Sequence, residues 1–334
     1  YLDLLENLNA NKLFLQTADL QKKDLKVTID SEKHIDPIRY SNEAAIISKK
    51  VAEVNNYDLE KISISHIIRG TQINQIDFQS KDLDNLHKPL SLIKRDTDLV
   101  NPINKFEQHE FRPKVIFPIF INEFAPDLRT HLGSPEKVAF YGIGIKAMTE
   151  IQLSRNLVIY SEINKQIEGN FDRKESQPTS ALDHVRTEIV DYLQNTSEQI
   201  YVTNLHIEQM WSPANDLYAK LSFGLLESMY GGLSSEILYK KFDSRFAVSL
   251  ELNAVKQRDY DQRFDFLDYR TTTSHFNLAF YEPNTNILFK WSYGRYLAGD
   301  DGYTFDLSRR MPSGWNAGVY FTRTDVPPRL FGEG

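Results

Sequence analysis

Residues 217–225 read LYAKLSFGL, and that stretch decides the fold. Successive side chains of a β-strand face opposite sides of the sheet. Leu217, Ala219, Leu221, Phe223 and Leu225 therefore share one face, and Tyr218, Lys220, Ser222 and Gly224 the other. The same alternation returns in FAVSLELNA at 246–254, where Phe246, Val248, Leu250, Leu252 and Ala254 oppose Ala247, Ser249, Glu251 and Asn253. Ile287, Phe289, Trp291 and Tyr293 then oppose Leu288, Lys290, Ser292 and Gly294, and Tyr303, Phe305 and Leu307 oppose Thr304, Asp306 and Ser308. A last run sets Trp315, Ala317, Val319 and Phe321 against Asn316, Gly318, Tyr320 and Thr322. Runs of about ten residues with an apolar and a polar face, each ended by a turn signal, are the pattern of a membrane β-barrel.

A soluble β-sandwich also alternates, with its apolar face turned inward. Two features favour the membrane. Lys220, Glu251, Lys290 and Asp306 sit mid-strand on the polar face, as a wet lumen allows, and Tyr218, Tyr293, Tyr296, Tyr303 and Trp315 lie at strand ends, where an interfacial girdle would form. The expected lipid-facing set includes Leu221, Phe223, Val248, Leu250, Phe289, Trp291, Phe305 and Val319, and the expected lumen set is Lys220, Glu251, Asn253, Lys290, Asp306 and Arg310.

Working outward, Val115 to Ile121, Val138 to Ile151, Leu157 to Ile167 and Ile200 to Trp211 read as further strands, for about twelve in all. Val185 to Gln194 is ambiguous, because Val185, Ile189 and Tyr192 also fit a helix. Tight turns at Pro213 with Asp216, Asp243 with Ser244, Pro283 with Asn284, and Pro312 to Gly314 belong to one rim, and the stretch 256–270 to the other. Short turns are periplasmic by the usual rule. Twelve strands following a periplasmic domain would instead place 256–270 on the periplasmic side, a conflict that one strand fewer at Val185 to Gln194 removes.

The first hundred residues have another texture. Leu2, Leu5 and Leu8 recur at helical spacing, Leu25, Val27 and Ile29 alternate, Ser41 is placed to cap a helix carrying Ala45, Ile46, Val51 and Val54, and Ile62, Ile64 and Ile68 with residues 72–78 read as strands. The domain reading is a small α+β domain at 1–88, a linker at 89–112 carrying Pro89 and Pro102, and the barrel region at 113–334, incomplete at its C-terminal end.

Composition narrows the function. A net charge of -7 among 334 residues argues against a nucleic-acid partner. Mean hydropathy is -0.45 and no apolar run is long enough for a transmembrane helix. No cysteine is present, which removes thiol catalysis, disulfides and thiolate metal sites. His206 and Glu208 share a strand face, with His184 in reach, but a third spaced ligand is missing, so no metal is expected. Gly142 and Gly144 lack the third glycine of a dinucleotide loop. The densest polar group, Arg258, Asp259, Tyr260, Asp261 and Arg263, has two readings: contacts to a sugar polymer, or mutual pairing that folds the loop as a plug.

The stretches LLESMYGGLSSEILYKKFDSRFAVSLELNAVKQRDYDQRFDFLDYR (225–270), GRYLAGDDGYTFDLSRRMPSGWNAGVYFTRTDV (294–326) and the terminal FGEG resemble the YjbH-like family of Gram-negative outer-membrane proteins associated with exopolysaccharide and capsule production. The resemblance is strong over about the last 150 residues, and against a family layout of about twice this length the chain looks like a C-terminal half. It implies a non-enzymatic barrel, without cofactor, that assists export or surface assembly of a polysaccharide. The implied partners are outer-membrane lipid and lipopolysaccharide, a periplasmic export partner or polysaccharide export channel, and the polysaccharide itself. A soluble or surface carbohydrate-binding module or enzyme, and a porin or structural scaffold, are the competing functions.

Overall fold

The computed structural model describes residues 1–31, 37–83, 109–132, 139–173, 189–196, 199–241, 244–311, 315–327 and 330. The expected turn at Asp243, the Pro312 to Gly314 turn, His184, Val185, Pro89, Pro102 and the FGEG terminus lie outside these. The chain divides into two compact units, residues 1–116 with 211–217, and residues 117–210 with 218–334.

In the first unit, α1 (Leu2–Ala10) is followed by β1 (Leu13–Gln21), β2 (Asp24–Ser31), α2 (Pro37–Val54), β3 (Lys61–Ile68) and β4 (Thr71–Gln79). The sheet order is β1-β2-β3-β4. β2 and β3 pair in parallel, which requires a crossover, and α2 supplies it. Arg69 and Gly70 both have positive φ, the requirement of a two-residue hairpin turn between β3 and β4. Leu8, Leu13, Ile29, Ile62 and Ile64 are fully buried, with Leu4, Val27, Ile76 and Phe78 close behind. Two expectations change. α1 buries Leu4 and Leu8 while Leu2 is 68% exposed, and Ser41 lies inside α2, which begins at Pro37, so it caps nothing. Phe111, in the stretch read as linker, exchanges backbone hydrogen bonds of 2.9 and 3.0 Å with Ala18 of β1.

The second unit carries an eleven-stranded sheet in which each strand bonds to the next in sequence. Its strands are β5 (Ile119–Leu132), β6 (Ala139–Gln152), β7 (Leu157–Gly169), β8 (Ile200–Ala214), β9 (Leu217–Leu225), β10 (Tyr230–Tyr239), β11 (Phe246–Arg258), β12 (Phe266–Glu282), β13 (Ile287–Arg295), β14 (Asp301–Arg310) and β15 (Asn316–Thr324). The expected count of about twelve is corrected to eleven, because residues from Ile189 to Asn195 form a helix, α3. Its Ile189 and Tyr192 are three apart, on one helical face. A second miss is β12, whose Thr271, Thr272, Thr273 and Ser274 interrupt the apolar alternation. Among the described residues no ladder joins β5 to β15, so the sheet has two open edges.

Eleven strands settle how the connections group. The start of β5 shares a rim with the turns β6–β7, β8–β9, β10–β11, β12–β13 and β14–β15. The opposite rim holds α3, the segment between β11 and β12, and the end of β15.

Large apolar side chains are exposed on one face of the sheet and polar side chains are buried on the other. Phe223 is 63% exposed, Leu250 46%, Phe289 38% and Val319 70%, while Ser222, Ser249, Thr273 and Asn277 on the other face are buried. Leu221 and Phe305 are likewise exposed, and Val248 and Trp291 half-buried. Register keeps the apolar set on one face: Phe289 lies opposite Leu307, Trp291 opposite Phe305, and Leu307 opposite Val319. The polar face is knitted sideways. Ser292 Oγ donates to Asn277 Oδ1 at 2.6 Å, and Asn277 Nδ2 donates to Ser249 Oγ at 3.2 Å.

Candidate functional site

The polar face of the second unit borders a half-open cavity of about 1300 Å³. β8 contributes His206 and Glu208, β9 Lys220 and Ser222, β10 Tyr230 and Ser234, β11 Glu251, Asn253 and Val255, and β12 Thr273 and His275. Strand parity points these residues inward together, since those on one strand are separated by two or, on β10, four positions. Tyr296 and Asp300, from the β13–β14 connection, complete one side.

Within this wall the polar groups are partly tied. Asn253 Nδ2 donates to Glu251 Oε1 at 2.7 Å and to Thr273 Oγ1 at 3.0 Å, and Ser222 Oγ donates to Glu208 Oε2 at 3.3 Å. Lys220 Nζ lies 3.5 Å from Glu236 Oε2. Tyr296 Oη and Thr304 Oγ1 share a hydrogen bond of 2.6 Å, and burial raises the Tyr296 phenol above its ordinary range, so it stays neutral. Among the described residues of the cavity wall, His206 Nδ1, His275 Nε2 and Asp300 Oδ1 are buried without a hydrogen-bond partner.

Of the six residues expected in a lumen, the cavity gathers Lys220, Glu251 and Asn253. Lys290 and Asp306 face each other in register between β13 and β14, and Arg310 ends β14; none of these three lines it. Sequence reasoning missed His275 and Asp300, and read Tyr296 as an interfacial girdle residue rather than part of this lining. His275 was hidden by the threonine run before it, and the other two by lying in a turn, where no periodicity marks orientation.

One end of the cavity meets a packed cap. Tyr192 of α3, Met229, Tyr230 and Val255 form a buried cluster, against which Ile189, Leu226, Tyr260, Tyr269 and Leu297 pack. Leu226, Tyr230, Val255 and Leu297 also line the cavity. Beside the cap, Arg258 is fully buried and its guanidinium donates to five carbonyls, those of Val202, Thr203, Glu227, Gln262 and Arg263, at 2.6 to 3.1 Å. Tyr192 Oη donates to the Arg258 carbonyl at 2.6 Å. The other loop candidates are tied nearby. Tyr260 meets the Tyr192 ring edge-on, Asp261 Oδ1 accepts the Arg263 amide at 2.9 Å, Asp259 Oδ1 accepts that of Asp261 at 3.5 Å, and Arg263 reaches Gln199 at 3.2 Å.

A second inward cluster escaped the sequence reading entirely. Arg129 of β5 donates to Gln166 Oε1 at 2.5 Å and to Thr196 Oγ1 at 3.3 Å, sits 3.4 Å from Asp127, and stacks over the rings of Tyr201 and Phe171. Among the described residues no group of three or more His, Asp or Glu is placed to hold a metal ion.

An outward apolar face, an inward polar cavity and a long meander define a β-rich chain built around a polar interior. A family model described as exopolysaccharide biosynthesis protein YbjH matches residues 3–334, and the chain belongs to that family. A curated relative, the uncharacterized lipoprotein YjbH of Escherichia coli (strain K12), is 34% identical over 217 residues. That alignment covers 63% of this chain and 30% of the relative.

Proposed function

We propose that this chain forms part of the wall of an outer-membrane β-barrel that assists export or surface assembly of an exopolysaccharide, with no catalytic chemistry of its own. The observation that carries the reading is the inverted sheet: large apolar side chains stand uncovered on one face while polar side chains are buried on the other. Water makes that arrangement costly and hydrocarbon makes it favourable. The rival carbohydrate-binding module or enzyme would need those apolar side chains inside. Membership of the exopolysaccharide family supplies the polymer, and a relative named as a lipoprotein fits an envelope location.

In this reading the rim of short turns, where β5 starts, is periplasmic and residues 1–88 lie in the periplasm, available to an export partner or channel. The cavity is then the polymer-facing surface. A scaffold closed at one end is the second reading, favoured by the α3 cap at the opposite rim.

The cysteine-free sequence makes the test direct. Single cysteines replacing Phe223, Leu250 and Phe289, and others replacing Ser222 and Ser249, are labelled with a fluorophore in reconstituted vesicles. Nitroxide-bearing lipids should quench the first set and spare the second; equal quenching would sink the membrane reading. Polymer flux through the same vesicles separates conduit from scaffold.

A further inference from the structure

We propose, resting on the reading of the cavity as a polymer-facing surface, that it accepts neutral or amine-bearing sugar chains and turns away polyanionic ones such as polyuronates. Among the described residues its lining holds five carboxylates, Glu208, Glu227, Glu251, Asp300 and Asp325, against two cations, Lys220 and Arg323. Lys220 is already engaged by Glu236, and Glu236 stands directly opposite Glu251 in the β10–β11 register, so that cation is outnumbered where it sits. Arg323 lies exposed at the end of the edge strand β15.

The lining also has what a sugar chain needs. Asp300 is 5% exposed with Oδ1 unpartnered, and His206 Nδ1 and His275 Nε2 are likewise unsatisfied, so three polar atoms are desolvated without a protein partner. Those atoms have almost no accessible surface themselves, so a sugar chain is met by the half-exposed Glu208, Ser234 and Glu251 of the same lining, whose oxygens pair with its hydroxyls. Tyr296, half-buried, adds an aromatic ring to the same lining. Carboxylates accept from hydroxyl and ammonium groups alike but repel a uronate, and the walls keep that repulsion from being fully screened.

The test uses the detergent-purified full chain and fluorescent oligomers of matched length: chitosan (cationic), dextran (neutral) and oligogalacturonate (anionic), followed by anisotropy at low and high ionic strength. Dextran and chitosan should bind, with oligogalacturonate at least about tenfold weaker at low salt and the gap narrowing at high salt. Joint replacement Glu208→Gln and Glu251→Gln should raise oligogalacturonate toward dextran and weaken chitosan. Oligogalacturonate binding as tightly as dextran overturns the charge preference and leaves the polymer-facing reading standing. Chitosan binding untouched by the double replacement overturns it too, by locating the attraction elsewhere. No binding of any oligomer sinks both readings. Should the double variant fail to fold, the salt dependence of the unaltered protein decides alone.

Discussion

His66 carries the sharpest consequence of any single residue in the first unit. It is 1% exposed on β3, both ring nitrogens lack a partner, and burial pushes its pKa down to about 4. The unfolded chain binds a proton at about 6.5. Between those values the unfolded state holds more protons, so stability rises with pH; it is complete above about 6.5 and is lost as pH falls toward about 4, by about 3 kcal/mol at most. Hydrogen exchange of residues 61–79, corrected for intrinsic rates, should therefore quicken from about pH 7 to about pH 5, and His66→Leu should flatten that slope. Arg258 makes a different prediction. Replacing it with alanine strips donors from five carbonyls and should cost about 3 kcal/mol or more, with lysine a poor substitute because it lacks the planar fork. Trypsin cleavage after Lys256 or Arg263, expected to be faster in the variant than in the parent protein, is the readout. Neither residue could be weighed from sequence. Arg258 looked like a loop cation because nothing in QRDYDQR reveals that carbonyls from two other segments, at Val202 with Thr203 and at Glu227, converge on its side chain along with those of Gln262 and Arg263.

Elements were more legible, for a physical reason: period-two alternation survives wherever one face meets an apolar medium and the other a polar one. The runs at 217–225, 246–254, 287–294, 303–308 and, from Asn316 on, 315–322 fall in strands of one sheet. Legibility failed where side chains did not alternate in polarity. β12 begins at Phe266 inside what read as a loop, and α3 was ambiguous because a single helical turn and an irregular strand share the same few apolar residues. Two element-level outcomes follow. In lipid vesicles Phe289→Lys should destabilise the sheet by about 2 to 4 kcal/mol if it lies at bilayer mid-depth, while Ser234→Lys on the acidic inner wall should cost less than about 1 kcal/mol, as read by urea unfolding. Tyr192→Phe removes the hydroxyl bond to the Arg258 carbonyl and should loosen α3 by about 1 kcal/mol, seen as faster exchange of residues 189–196 with the strands unchanged.

At the scale of the whole molecule, the count of strands matters more than any one of them. With eleven, the conflict over which side holds residues 256–270 disappears: that segment lies on the rim away from the start of β5, and the short turns lie on the rim where β5 starts. An impermeant maleimide should thus label Arg263→Cys in intact cells and reach Asn284→Cys only after the outer membrane is opened; the reverse pattern would invert the orientation. Eleven is also odd, so β5 and β15 run in the same direction. Joined directly to each other, or to same-facing copies of themselves, those two margins could meet only as a parallel seam. Any wholly antiparallel cylinder that includes this sheet must draw an odd number of strands from beyond these eleven, and its total will then be even.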